Sequence, residues 1–451
     1  MARALVVLAF AILLVPGALA AVPNQHHLSI VPGGLAVTFA NVGGERNLDA
    51  RVEYGATDAL GKVAEARFEA SLPPGIAVYS AVLTDLEPGK TFRYRAVLNK
   101  QAGPVFEARA PPAAGEPLRF VAFADHGHEH ATSRETVAAA LAADPDLVLV
   151  AGDISYADGR SIGWETWFGM VEPLAASRPL MPAAGNHERE DVPIPTAYDS
   201  RSYDQFKGRF VLPGDEFHFG FGAGNVHFVV VNSEDACATS RATVHTPYIQ
   251  PGECKDAAGN QTLMARLDAL LSSPEAKAAR WLVVMFHRPV YTWGAYEGNP
   301  IIEAHWRPLF ERHGVDLVLT GHDHIYARTH ALKDGKPVSA GPEVYAEGEG
   351  PVYVVTGGGG NKKYDLRPPP YPEWLAVANS TFHVTHVRAD AKRLAVEAHE
   401  VPTGALVDRF VIGEPFDPPI GDPPTRATPG PAPVLLAAAA ALLALAARRK
   451  A

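Results

Sequence analysis

The stretch Leu147-Val148-Leu149-Val150-Ala151-Gly152-Asp153-Ile154-Ser155-Tyr156-Ala157-Asp158 decides the fold. Five aliphatic residues without a polar interruption suit a short strand buried on both faces, and the polar cluster that follows marks its carboxyl end. Three further apolar runs, 118–124, 281–286 and 315–320, share this texture, and each also stops at a polar cluster. Apolar spacing predicts helices over 133–143, 261–272 and 303–313. Strand, loop and helix repeated in this way predict an α/β region, with functional residues gathered at the carboxyl ends of its strands.

Upstream, residues 22–112 carry short alternating runs at 35–39, 51–54, 79–83 and 92–98, with turns at Pro32-Gly33-Gly34 and Pro88-Gly89 and no helical period. That pattern predicts a small all-β sandwich. Its stretch Leu86-Glu87-Pro88-Gly89-Lys90-Thr91-Phe92-Arg93-Tyr94 resembles the corner of a fibronectin type III domain, with Phe92 where that corner has a tyrosine. The corner hydrogen bond is therefore expected to be missing.

Both ends read as targeting segments. Arg3, an apolar run over 4–15, the break Pro16-Gly17 and the small-residue triplet Ala18-Leu19-Ala20 predict a signal peptide over 1–20, cleaved after Ala20. The run is shorter than the roughly 20 residues that cross a bilayer. Eight prolines between Pro415 and Pro433 read as an extended linker over 413–433. Residues 434–451 then hold only Val, Leu and Ala up to Arg448-Arg449-Lys450, and read either as a sorting tag or as a membrane anchor. Export makes a disulfide between the only two cysteines, Cys237 and Cys254, the expected pairing.

Composition removes some functions. The chain has 451 residues with 50 acidic against 40 basic side chains, a formal charge of -10, and no long basic run to follow a nucleic-acid backbone. Two cysteines are too few for a cysteine-built zinc site.

The chemistry lies in five clusters: Asp125-His126-Gly127, Gly152-Asp153-Ile154-Ser155-Tyr156-Ala157-Asp158, Gly185-Asn186-His187-Glu188, His287-Arg288-Pro289 and Gly321-His322-Asp323-His324. An aspartate closing an apolar strand is costly unless a cation or a helix terminus meets it, and either aspartate alone reads better as a helix cap or a turn residue. Two imidazoles one residue apart, just past a strand, point the same way and reach two adjacent metals if the extended geometry persists. Imidazole suits iron, zinc and manganese, while carboxylate and amide oxygens supply hard donors and bridges.

On these motifs, GDISYAD, GNHE, HRP and GHDHIYAR, the chain resembles the purple acid phosphatases among the calcineurin-like metallophosphoesterases, over residues 22–411. The resemblance implies a metallophosphoesterase sandwich of two β-sheets flanked by helices over 117–412, preceded by the fibronectin type III-like sandwich over 22–112. It also implies that Asp125, Tyr156 and His324 hold Fe(III), that Asn186, His287 and His322 hold a divalent Zn, Fe or Mn, and that Asp153 bridges the two. Gly127 stands where most metallophosphoesterases have a histidine, and a tyrosine follows the bridging aspartate by three. A phenolate is a hard anionic donor for a trivalent ion.

Two cations about 3.5–4 Å apart acidify bound water and hold the phosphoryl group for in-line attack, so hydrolysis of phosphomonoesters is expected. His187 is the candidate for leaving-group protonation, or else only orients Asn186. His126, Tyr296, Glu297 and Arg328 are candidates for substrate contact, with a structural ion pair the other reading of Arg328. Where plant relatives carry a histidine pair after the fourth motif, this chain has Tyr291, Trp293, Tyr296 and Glu297. Phosphodiester or nucleotide hydrolysis on the same metals is the second reading. A non-catalytic surface adhesion protein is the third.

Overall fold

The computed structural model describes residues 22–43, 48–189, 203–237, 257–338, 341 and 343–415. The predicted signal peptide, the pairing of Cys237 with Cys254, the proline-rich linker from 416 on and the terminal apolar segment all lie outside the described residues or side chains. Among the described residues no helix is long and apolar enough to cross a membrane.

The first ninety described residues are all β. One sheet orders the strands Asn24–Val31, Gly34–Val42, Ile76–Leu83 and Arg67–Leu72. A second is built on Ala50–Gly55 and Thr91–Leu98, with Lys62–Glu65, Gln101–Ala102 and Phe106–Arg109 at its margins. The inward side of each strand fills one core, in which Val37, Phe39, Val52, Tyr79 and Tyr94 are buried. The four predicted runs fall inside these strands. The first strand escaped notice because His26 and His27 interrupt its apolar pattern, and both are buried. Tyr94, two residues beyond the corner position, sends its hydroxyl outward to the carbonyl of Ala176 at 2.9 Å and so ties the sandwich to the α/β region.

Two seven-stranded sheets form the rest. The first orders Leu180–Ala183, Leu147–Ala151, Leu118–Phe123, His383–Ala389, Arg393–Glu400, Leu406–Gly413 and Val344–Tyr345. Its first three strands are parallel, and the following three run antiparallel. The second orders Phe219–Ala223, Val226–Val230, Trp281–Met285, Leu317–Thr320, Val352–Thr356, Tyr326–Thr329 and Leu375–Asn379, with four parallel strands at its centre. One apolar core joins the sheets face to face, where the Phe120 and Phe228 rings meet edge-on with centroids 5.2 Å apart. Continuous aliphatic runs such as Leu147–Ala151 are buried along their whole length, as strands covered on both faces must be.

Helix Ala131–Ala142 packs on the first sheet, Ser161–Ala175 on that helix and on the sandwich strand Asn24–Val31, and the leucines of Ala257–Leu271 on the second sheet. The helix predicted over 303–313 is instead two, Pro300–His305 and Arg307–His313. Pro308, in the first turn of the second, has no N–H to continue the preceding ladder.

Candidate metal centre

Five strand ends deliver the seven candidate ligands to one place. Asp125 follows Leu118–Phe123; Asp153 and Tyr156 follow Leu147–Ala151; Asn186 opens the short 3-10 turn Asn186–Glu188 after Leu180–Ala183. His287 follows Trp281–Met285, while His322 and His324 follow Leu317–Thr320. Asp125, Asp153, Tyr156 and His322 all have positive φ, between 49° and 71°. Non-glycine residues adopt that region at a cost of about 1–3 kcal/mol each, which native packing sustains chiefly where geometry serves a site.

The donor atoms fall into two groups. In the first, the Tyr156 hydroxyl stands 3.0 Å from Asp125 Oδ1 and 2.7 Å from His324 Nε2, and that nitrogen is 3.3 Å from Asp125 Oδ1. In the second, His287 Nε2 is 3.2 Å from both Asn186 Oδ1 and Asp153 Oδ1, and donor atoms of Asp153, His287 and His322 all lie within 4.8 Å of one another. With metal–donor bonds of roughly 2.0–2.2 Å, adjacent donors on one ion stand about 3 Å apart. The remaining imidazole nitrogens fix the rings: His287 Nδ1 bonds the Ala151 carbonyl at 2.9 Å and His324 Nδ1 the Lys362 carbonyl at 3.0 Å. Ligating histidines are held in this way in metal sites generally.

Charge also fits cations. Asp125 and Asp153 are buried, and among the described residues no lysine or arginine forms an ion pair with either. Buried carboxylates in that state need a counter-charge. Burial would raise the Asp153 carboxyl, yet His287 and His187 beside it hold it well below the usual range. Burial pulls the other way on His287, whose pKa the Asp153 charge nevertheless pushes up to about 10. Burial and the charges of Asp125 and Asp153 drive the Tyr156 phenol well above its ordinary pKa, so a strong cation is required to ionise it. Burial and Arg288 hold His322 well below the normal imidazole range, in its neutral, ligating form.

The region 118–326 matches the model of the calcineurin-like phosphoesterase family, and 350–409 matches that of iron/zinc purple acid phosphatase-like protein C. Purple acid phosphatase 18 of Arabidopsis thaliana is 28% identical over 376 residues, spanning 80% of this chain and 77% of that protein. Acid phosphatase type 7 of Danio rerio is 25% identical over 409 residues, spanning 81% and 85%. Among solved structures, the purple acid phosphatase from yellow lupin (Lupinus luteus) seeds superposes with a TM-score of 0.70 over 87% of this chain and 74% of that one, at 21% identity, a likeness of fold. The chain carries a calcineurin-like phosphoesterase domain followed by a purple acid phosphatase C-terminal domain. It is a metal-dependent phosphatase of the binuclear, acid phosphatase type, whose cofactor is Fe(III) with a divalent metal.

Several features of this phosphatase site are visible only in three dimensions. The tyrosine-for-histidine exchange has a steric side: a Cβ at Gly127 would already touch Tyr156 Cδ2 at 3.6 Å and Asn361 Cβ at 3.5 Å, so the phenol ring fills the space a side chain there would claim. Asn361 hydrogen-bonds the phenol through its side chain and the Asp125 carbonyl through its N–H, at 3.1 Å. The run Gly357-Gly358-Gly359-Gly360 before it was an unused signal, since four glycines in a row mark close backbone approach. Glu188, quoted above only as a letter of its motif, is buried and accepts the N–H groups of Asp153, Ile154 and Gly185, each at 2.8 Å. Burial and Asp153 push its carboxyl up to about 7.

His187 lies at the rim, its ring 4.2 Å from that of Tyr156. Nδ1 bonds Asp158 Oδ1 at 2.6 Å and Nε2 is 3.9 Å from Asp153 Oδ2. Burial opposes protonation there, but Asp153 and Asp158 raise the pKa to about 9. Tyr296 stacks on His322 at 4.4 Å, and Glu297 is exposed beside it.

Two candidates for substrate contact are elsewhere. His126 is fully buried, with Nε2 on the Ser133 carbonyl at 2.9 Å and Nδ1 receiving the Trp167 indole N–H at 2.9 Å, so it is a core histidine. Arg328 is 1% exposed and paired with Asp408, at 2.5 and 3.0 Å, and with the Tyr345 hydroxyl. The structural ion pair was the correct reading.

Proposed function

We propose that this phosphatase hydrolyses small phosphomonoesters, with Fe(III) held by Asp125, Tyr156 and His324, the divalent ion by Asn186, His287 and His322, and Asp153 shared between them. The observation that carries the assignment is the triangle of Asp125 Oδ1, Tyr156 Oη and His324 Nε2, with edges of 2.7–3.3 Å. It contains an anionic oxygen, a phenol and an imidazole, a donor set suited to a trivalent ion. When bound, the pair of ions supplies Lewis-acid stabilisation of the phosphoryl oxygens and an acidified water.

The chain's own residues do the rest. Glu188 fixes the backbone on both sides of Asp153 and before Asn186, so that these donors keep their spacing. Asp158 orients the His187 ring through Nδ1, which leaves Nε2 facing the centre with a proton. From there His187 donates to the departing oxygen and balances the charge that develops on it.

We also assign the protein to the extracytoplasmic side, as a secreted or surface-held enzyme with the sandwich 22–112 as a support for the catalytic region 117–412. The apolar run ending in Ala18-Leu19-Ala20 supports export. The experiment for the reaction pairs metal analysis with rates on a monoester and a diester of one leaving group. The reading expects iron plus a divalent ion and the faster rate on the monoester. A faster diester rate would overturn the substrate assignment while leaving the metal centre standing.

A further inference from the structure

The loop 292–296 follows the fourth motif, His287-Arg288-Pro289, and it is held from two sides. On one side Asp323, fully buried between His322 and His324 in the chain, accepts from Thr292 Oγ1 at 2.5 Å and from the N–H groups of Gly294 and Ala295 at 3.0 Å each. On the other, Arg367 donates from Nε to the Gly294 carbonyl at 3.1 Å and from its terminal nitrogen to that of Tyr296, and its guanidinium lies over the Trp293 ring, 5.3 Å from the centroid. A carboxylate gathers the loop's donors and a guanidinium its acceptors. The fit is tight enough that a Cβ at Gly294 would collide with the Asp323 carboxylate.

The outcome is the placement of Tyr296. One face of its ring lies on the His322 imidazole, with centroids 4.4 Å apart and planes 23° apart, yet the residue stays partly exposed. Tyr364 stands edge-on to it at 5.6 Å while stacking on His324 at 4.2 Å. Two aromatic rings thus back onto His322 and His324, two of the three candidate histidine ligands, and the part-exposed ring of Tyr296 is an apolar, polarisable surface beside them.

We propose that Asp323 and Arg367 are positioning residues that hold Tyr296 as a wall of the leaving-group site, and that this wall favours phosphate esters of planar, aromatic alcohols. The inference rests on the metal-centre reading above, because only then does the leaving group emerge beside His322. Neither Asp323 nor Arg367 touches the substrate; each acts through the loop.

The test compares kcat/KM for benzyl phosphate and cyclohexylmethyl phosphate, whose leaving groups match in size and closely in acidity but differ in planarity. The wild-type enzyme should prefer the benzyl ester by about three- to tenfold, the range of an aromatic stacking contact. Tyr296→Ala should bring the ratio near one, through KM for the benzyl ester, and Tyr296→Phe should keep it. Asp323→Asn should lower the same ratio, and combining it with Tyr296→Ala should lower it no further; Arg367→Gln gives the same reading if Asp323→Asn does not fold. No preference in the wild type, or a preference that survives Tyr296→Ala, overturns the proposal. An enzyme that binds its metals and hydrolyses neither ester would instead overturn the phosphomonoesterase reading, so the two failures are distinguishable.

Discussion

The sheet edge formed by 118–123, 147–151 and 180–183 delivers oxygen, from Asp125, Asp153, Tyr156 and Asn186, whereas the edge formed by 281–285 and 317–320 delivers only imidazole, from His287, His322 and His324. Neither edge is a site alone. The oxygen edge concentrates buried negative charge that no lysine or arginine pairs among the described residues, and the imidazole edge is a set of nitrogen donors without a bridge. Each assigned ion takes ligands from both, so metal affinity and sheet-on-sheet packing depend on each other. Each edge also has a buried carboxylate outside the ligand set that collects backbone N–H groups: Glu188 on the oxygen side and Asp323 on the imidazole side. Glu188 braces the ligands themselves. Asp323 braces the loop beside them, and the comparison predicts different consequences for losing each.

The largest effect belongs to the residue assigned to both ions. Asp153→Asn should bring activity close to background and lower the content of both metals, measured by elemental analysis beside the rate. Two metals retained at a normal rate would remove Asp153 from the bridge.

Next is His187, on the oxygen edge but outside the ligand set. His187→Ala should keep both metals and slow an alkyl phosphate by about 10²- to 10⁴-fold, with much less effect on a nitrophenyl phosphate, whose leaving group departs without a proton. Equal slowing of both esters would show that His187 stabilises charge without transferring a proton. Loss of the divalent metal would show that it only orients Asn186.

Glu188→Ala sharpens the comparison directly. Removing a brace behind metal ligands typically costs about 10- to 100-fold in metal affinity, and that loss should be seen in metal titrations. Asp323→Asn should leave metal affinity near the wild-type value. Equal losses from the two substitutions would erase the distinction between the edges.

The smallest effect concerns pH. Burial lowers the His126 pKa to about 4, and its Nδ1 must stay unprotonated to receive the Trp167 N–H. The unfolded chain takes up this proton near pH 6.5 and the folded one only near 4, so the stability from neutral His126 is present above 6.5 and is lost as pH falls between those values. The loss from pH 7 to 5 comes to about 2 kcal/mol. Denaturant unfolding at the two pH values should show a smaller difference for His126→Gln than for the wild type. An unchanged difference would mean His126 is not held neutral.

The parts of the site legible in the sequence are those where one strong local rule operates. A polar cluster after an unbroken aliphatic run has to sit at a strand end, and the five clusters read from the sequence do lie at five strand ends that converge. Reading side-chain direction from nearness to a motif failed. His126 follows Asp125 directly, but the chain has left the strand there, Asp125 has a positive φ, and Trp167 and Ser133 hold the imidazole in the core. Arg328 belongs to the fifth motif, yet its partner Asp408 is 80 residues away on the other sheet. Glu188 and Asp323 were in view only as letters of their motifs and Asn361 not at all, because what each does is set by N–H groups and a phenol brought near only by folding. The first strand and the broken helix at Trp306 were missed for simpler reasons, buried histidines in one and an early proline in the other.

The most direct test of the account is the metal content and visible spectrum of the purified, oxidised enzyme and of Tyr156→Phe. The account predicts one iron and one divalent ion per chain in the wild type, with a charge-transfer band from the Tyr156 phenolate to Fe(III) that disappears in Tyr156→Phe. A colourless wild-type enzyme, fully active with two zinc ions, would contradict it.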